Sequence, residues 1–427
     1  MKLIFITIFC FLFTLRFDLY SSSTHNKVSL GIDELERMAF SPLKGKRVGL
    51  ITNQTGVNSK GNKTRSVLFN AKNVNLVSLY TPEHGLDGNE LAGKWVSSRI
   101  DPLTGLKAFS LYGKTRKPDA NMLKGIDTLV FDIQDVGVRC YTYISTMGLC
   151  MEAAAENDIE FIVLDRPNPV DGINIEGPPI TKDWYSFVGM FPVAFRHGLT
   201  VGEIAKMASA EGWLSRKPKL RIIKMKGWKR SMSWDDTGLN WVQTSPNIPR
   251  ADSCFYYLLS CIPQHVTGVY AGTGTNKPFQ NISTNGISSS SLVDALNLNE
   301  IKGVKYKPYS DAKHPRRGGV NLEINEDYNG PLVASGLTIL KHILEQADEK
   351  KIELIPSKKG ANSLLYKVYG TEDIGKKSFR DLSINNIGSF KIKKKNERIG
   401  RNPKTKEEYL IESRKVISFK KSNKLVL

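Results

Sequence analysis

Between Lys46 and about Met225 the chain repeats one pattern: a short apolar run, a polar corner, then a stretch of helical periodicity. The apolar runs lie in "RVGLITNQTG", "VNLVSLYTPEHG", "LKAFSLYG", "IDTLVFDIQDVG", "IEFIVLDRPNPVDG" and "LRIIKMKGW". The helical stretches are "NKTRSVLFNAK", "STMGLCMEAAAEND" and "TVGEIAKMASAEG", the last opening with a capping box, Thr200 and Glu203. Strands that are apolar on both sides have to be covered on both sides. The alternation therefore predicts an α/β, Rossmann-like domain, a mostly parallel sheet with helices on both faces.

A chain of 427 residues is too long for one small core, which predicts two domains. The Rossmann-like domain is assigned to 28–275 and a smaller α+β C-terminal domain to 276–427, where "GGVNLEINED" reads as a strand and "PLVASGLTILKHILEQADEK" as an amphipathic helix. At the other end, "MKLIFITIFCFLFTLRFDLYSSS" sets one lysine before an apolar run too short to span a bilayer comfortably. Residues 1–23 read as a signal peptide, so the expected location is periplasmic or extracellular, with no stable membrane span after processing. Cys10 falls in that leader. Cys140, Cys150, Cys254 and Cys261 read as buried thiols that an oxidising compartment would allow to pair.

In doubly wound sheets ligands bind outside the carboxyl ends of the strands. Nearly every strand here runs into functional groups at that end: Thr52, Asn53 and Gln54; Glu83 and His84; Asp132, Gln134 and Asp135; Asp165, Arg166 and Asn168. Turn formers alone would suffice for a sheet, so this recurrence points to a site. Glu83 follows Pro82 and precedes His84 and Gly85, where the chain turns. A carboxyl in such a half-closed place suits a general acid, the bland alternative being a loop-fixing glutamate. Arg139, Tyr141 and Tyr143 beside Asp135 suit a sugar, unless the arginine pairs with the acid and the tyrosines fill core. "IEGPPI" adds Glu176 on a stiff loop. Arg196 and His197 stand together at the start of a helix, which implies an anionic ligand unless the arginine pairs with a neighbouring acid.

Several chemistries drop out. No G-x-G-x-x-G or G-x-x-x-x-G-K-[ST] is present, so no dinucleotide cofactor or P-loop nucleotide is expected. No H-E-x-x-H occurs among the six histidines, and no G-x-S-x-G elbow exists, so neither a metal nor a serine nucleophile is expected. Lys and Arg outnumber acids 61 to 42, with part of the excess in "KIKKKNERIGRNPKTK". A formal charge of +19 attracts anionic polymers in general, but no recognition signature accompanies it, so no nucleic-acid partner is expected.

Eight segments in order, "GKRVGLITNQTGV", "LYTPEHGLDG", "DTLVFDIQDVGVRCYTYISTM", "VLDRPNPVDG", "IEGP", "FRHGLTVGEIA", "GLNWVQTSPNIP" and "GTGTNKPF", resemble the exo-β-N-acetylmuramidase family of the NamZ type over roughly residues 30 to 345. The resemblance implies an exported glycoside hydrolase that releases N-acetylmuramic acid from the non-reducing ends of peptidoglycan fragments. It implies no cofactor, and a site in the cleft between the two domains. It carries over Glu83 as the catalytic acid, with His84 beside it. Asp132, Asp135 and Glu176 compete for the second carboxyl that a glycosidase of the usual kind needs. The substrate would be held from among Asn53, Gln134, Arg139, Tyr141, Tyr143, Asp165, Arg166, Asn168, Glu176, Arg196, His197 and Asn247. Its lactyl carboxylate calls for a fixed cation, expected from Arg139, Arg166 or Arg196. The family pattern is broken at His265, Ala271, Thr273, Lys277 and Gln280. The alternative function is a non-catalytic muropeptide or glycan-binding protein on the same fold.

Overall fold

The computed structural model describes residues 27–298, 303–325, 328, 330–350, 364–371 and 374, together with the backbone of strands 388–395, 398–401, 408–411 and 414–421. The expected signal peptide lies outside these residues. Among the described residues no helix is long and apolar enough to cross a membrane.

The first half contains α1 (Gly31–Arg37), β1 (Arg47–Thr52), α2 (Thr64–Asn70), β2 (Asn75–Thr81), β3 (Arg99–Ile100), β4 (Lys107–Ser110), β5 (Thr128–Asp132), α3 (Tyr143–Glu156), β6 (Glu160–Leu164), α4 (Val201–Ala210) and β7 (Lys219–Ile223). The strands form one sheet in the order β3-β4-β2-β1-β5-β6-β7, in which only β3 runs antiparallel to its neighbour. Setting the two-residue edge strand aside, this is the doubly wound Rossmann order, whose reversal point lies between β1 and β5. Alternation along each strand fills both faces. In β5, Leu129 and Phe131 join the cluster that contains Met147 and Met151 of α3 and Ile204 of α4. Val130 joins the opposite cluster, with Ile32 and Leu35 of α1 and Leu68 of α2. The strands and helices expected from the sequence all form, and the Thr200–Glu203 capping box closes as anticipated. What sequence pattern missed, α1 and β3, is short.

A second unit follows: α5 (Ser253–Ser260), β8 (Val269–Tyr270), β9 (Asn281–Asn285), α6 (Ser289–Leu298), β10 (Val304–Pro308), β11 (Arg317–Ile324) and α7 (Leu332–Glu349). Its antiparallel sheet runs β10-β11-β9-β8. Its first elements precede residue 275. α7 comes close to α5 because Gly336 has no side chain; a Cβ there would sit 1.8 Å from the Leu259 carbonyl oxygen. Next come α8 (Leu364–Tyr369) and the strands β12 (Gly388–Lys395), β13 (Arg398–Arg401), β14 (Glu408–Ile411) and β15 (Arg414–Lys421). β12 pairs antiparallel with β15 and β13 with β14, a nested, hairpin-like order.

Candidate active site

The chain leaves β2 at Thr81 and turns at His84 and Gly85, both left-handed, with φ of 70° and 76°. His84 Nδ1 lies 2.7 Å from the Glu90 carbonyl oxygen, which only accepts, so this ring nitrogen carries a proton. That bond draws the 85–93 loop back over Glu83. The Gly93 N–H then donates to Glu83 Oε1 at 2.8 Å. From the other side, where the chain leaves β5 for α3, the Thr142 hydroxyl donates to Oε2 at 2.7 Å. Glu83 is buried to 7% exposure, and no cation among the described residues pairs with it.

Asp135 sits beyond the end of β5. Its Oδ2 accepts from the Gly137 N–H at 2.8 Å, whereas its buried Oδ1 has no partner. Burial pushes the Asp135 carboxyl up to about 7, against the pull of the Gly137 and Val136 amides. Tyr143 feels both acids. Burial lifts its phenol far above the ordinary range, and the charges of Tyr141, Glu83 and Asp135 add to the lift. Both carboxyls thus act on one ring.

The remaining anticipated residues form a frame around this centre. Asp132 is fully buried, bound to Arg166 Nε at 2.6 Å and to the Thr64 hydroxyl at 2.5 Å, and so is engaged below the mouth and absent from it. Asp165 caps α4 by accepting from the Gly202 N–H and the Thr200 hydroxyl. Asn168 joins the Leu199 carbonyl to the Val170 amide, and Asn53 accepts from Thr55. Gln134 donates to the Asp135 and Pro167 carbonyls, and its Oε1 is buried without a partner. Asn247 Oδ1 accepts from the Gly274 N–H, which ties it to the loop that departs from the family pattern.

Three expectations are corrected. The tyrosines offer no open ring face: Tyr141 and Tyr143 are buried edge to face, 4.8 Å apart, with their hydroxyls on Thr244 Oγ1 and the Thr244 carbonyl. Arg196 and His197 do not await an anion. Arg196 holds Asp171 and Glu176, each at 2.6 Å, and burial drives the His197 imidazole down to about 3, so it is neutral. Finally, none of the three arginines is a free fork. Arg166 is on Asp132 and the Val57 carbonyl, while Arg139, fully buried, donates to the carbonyls of Pro178, Val193, Val368 and Tyr369. Glu176, with Arg196 and the Val333 N–H, has no oxygen left for chemistry.

The residues that pattern missed lie on the other lip. β4 neighbours β2, so the loop after β4 reaches the same mouth. Burial, and then the charge of Glu83, push the Tyr112 phenol up to about 12, with Arg116 opposing. Tyr112 meets Phe187 with ring centroids 5.9 Å apart. A small, partly open cavity of about 40 Å³ lies nearby at the sheet's reversal point, lined among others by Thr55, Asn58, Gln134, Arg166 and Trp234. Glu83 is not on its wall. Among the described residues no cluster of three or more His, Cys, Asp or Glu could hold a metal ion.

Comparison with known proteins identifies the family. The family described as exo-β-N-acetylmuramidase NamZ, N-terminal, matches residues 48–252. The peptidoglycan β-N-acetylmuramidase NamZ of Bacillus subtilis is 44% identical over 74% of this chain and 77% of its own length. The chain belongs to the NamZ family. A crystal structure of a DUF1343 family protein from Bacteroides fragilis superposes with a TM-score of 0.75 at 41% identity, over 82% of this chain and 90% of that one. The NamZ match stops short of the C-terminus, and there a second family, described as bacterial DNA-binding protein, matches residues 348–426. The integration host factor subunit alpha of Bdellovibrio bacteriovorus is 39% identical over 16% of this chain, which spans 63% of that relative's length. The expectation that no nucleic acid is bound therefore has no support at this end of the chain.

Proposed function

We propose that this NamZ-family chain hydrolyses the β-glycosidic bond of a terminal N-acetylmuramic acid in peptidoglycan fragments, with Glu83 as the proton donor. The observation that carries the reading is the way Glu83 is held. It is a nearly buried carboxyl at a strand's carboxyl end, oriented on both oxygens, with no cation pinning it as a spectator. One of those partners is a hydroxyl. Thr142 can donate to the charged carboxylate and accept from the protonated acid, so its contact survives both states of a group that gives up a proton and takes it back. Asp135, whose carboxyl burial lifts to about 7 and whose Oδ1 is unpartnered, is the proposed second carboxyl, serving in its ionised form. Export of the chain to reach wall fragments belongs to the same proposal and is supported by the leader-like N-terminus.

A chromogenic N-acetyl-β-muramide tests the reading. The wild-type protein releases the chromophore, and Glu83→Gln lowers kcat by about a hundredfold or more while the protein stays folded. Turnover by Glu83→Gln at the wild-type rate would remove Glu83 from the chemistry. Tight sugar binding by a wild-type protein that never turns over would favour the binding-protein alternative.

A second activity is proposed for the C-terminal segment: binding of duplex DNA. It is favoured by the match over 348–426 and by the register of β12 on β15, which sets Lys391, Lys393 and Lys395 at alternate positions of one strand. In a mobility-shift assay, replacing these three lysines with glutamate weakens duplex retention and flattens its salt dependence. Unchanged retention would withdraw the proposal.

A further inference from the structure

A muramic acid differs from a glucosamine by a lactyl ether ending in a carboxylate. An enzyme that tells them apart at a solvent-facing mouth needs a cation that is close to the reacting bond, accessible and not already neutralised. The arginines that sequence pattern favoured fail these conditions: all three are buried, Arg166 and Arg196 are already paired with carboxylates, and Arg139 is turned onto four carbonyls of the interior.

Arg116 meets all three conditions. It is exposed, on the loop after β4, across the mouth from the turn that carries Glu83. Its guanidinium carbon lies 4.2 Å from the Phe187 ring centroid and 5.2 Å from that of Tyr112. Two aromatic rings therefore hold it in place without consuming its charge. Tyr112 links it to the acid, since the phenol feels both the Arg116 cation and the Glu83 carboxylate. Among the described residues no carboxylate pairs with Arg116. Beyond its contact with the Tyr112 hydroxyl, the guanidinium keeps N–H groups for a bidentate partner. A free cation with unspent donors next to a glycosidic acid is a receptor for an anionic substituent on the bound sugar.

We infer that Arg116 determines specificity at this mouth by holding the lactyl carboxylate of N-acetylmuramic acid, with Tyr112 and Phe187 positioning its guanidinium. The inference rests on the muramidase reading for its substrate and extends it by naming the group that selects that substrate. Because Arg116 acts on a part of the sugar that does not react, its contribution is to binding in ground and transition states alike, which moves KM more than kcat.

Binding measurements keep this separable from turnover. N-acetylmuramic acid and N-acetylglucosamine are titrated calorimetrically into the full chain, as wild type, Arg116→Ala and Arg116→Lys. Wild type prefers the muramic acid, and Arg116→Ala cuts that preference about 10- to 100-fold, with Arg116→Lys restoring part of it and high salt eroding it. Equal affinity for the two sugars in wild type, a preference untouched by Arg116→Ala, or no binding of either sugar overturns the inference. If the preference collapses in Arg116→Ala while no variant hydrolyses a muramide, the hydrolase reading fails and the role of Arg116 stands. Melting temperature guards the comparison: Arg116 is exposed and pairs with no acid among the described residues, so Arg116→Ala melts with wild type.

Discussion

Two arginines illustrate how differently the same side chain is used here. Arg196 neutralises Asp171 and Glu176 from a position that is 2% exposed, so Arg196→Ala strands two half-hidden acids. Loss of one partner from such a cluster costs about 3–5 kcal/mol, read as a fall in the denaturant midpoint at unchanged slope. Arg116, on the rim, has no such duty. Asp135 is the residue with the clearest pH signature. Its carboxyl is lifted from 3.8 to about 7 in the folded protein, so between those values the native state holds a proton that the unfolded chain has released. Its contribution to stability therefore falls as pH rises through that window and is level above it. Asp135→Asn removes the effect. Melting temperatures of the variant, taken relative to wild type, rise from pH 4 to pH 7 and then run flat. An offset that does not change with pH would mean that Asp135 is ionised throughout.

At the scale of elements, helix packing depends on one small residue. Gly336→Ala would drive a methyl to 1.8 Å from the Leu259 carbonyl oxygen, which as backbone cannot swing aside, so α7 has to move away from α5. The overpacking costs about 1–3 kcal/mol, and calorimetric melting shows it directly. A variant with undiminished stability would mean that the two helices are free to slide apart. The same scale explains what could be read from the chain beforehand. The parallel sheet was legible because its signal is local: each strand is an apolar run, and each crossover a helical stretch. The turn carrying Glu83 was legible for the same reason, from Pro82, His84 and Gly85. Pairings were not legible, because they join distant positions. Asp132 meets Arg166 across β5 and β6, and Arg139 finds its acceptors at Val368 and Tyr369, more than two hundred residues on. Nothing local told an engaged arginine from a free one. Arg116 was passed over because "LYGKTRKP" reads as an ordinary basic loop, and its meaning appears only once β4 lies beside β2.

The whole molecule joins a wall-hydrolase family to a segment that matches a DNA-binding one, and the seam is not where the family match begins. Residues 348–426 match the second family, yet α8, inside that range, supplies the Val368 and Tyr369 carbonyls to Arg139. A chain stopped at residue 347 loses those acceptors and leaves a buried guanidinium short of partners, whereas one stopped after Ile374 keeps them. The shorter chain should melt several degrees below the longer one, and equal melting would mean that α8 contributes nothing to the core. Oxidation offers a further check on the interior. Cys140 and Cys261 stand with sulfurs 3.5 Å apart, so diamide treatment in mild denaturant should yield that pairing first by peptide mapping, ahead of any bridge to Cys150 or Cys254. Arg139 has one more consequence. It is three positions from Thr142, whose hydroxyl holds Glu83, and its far end grips the stem of the C-terminal segment. A displacement of that stem therefore reaches the Glu83 turn through a single buried side chain and one short length of backbone.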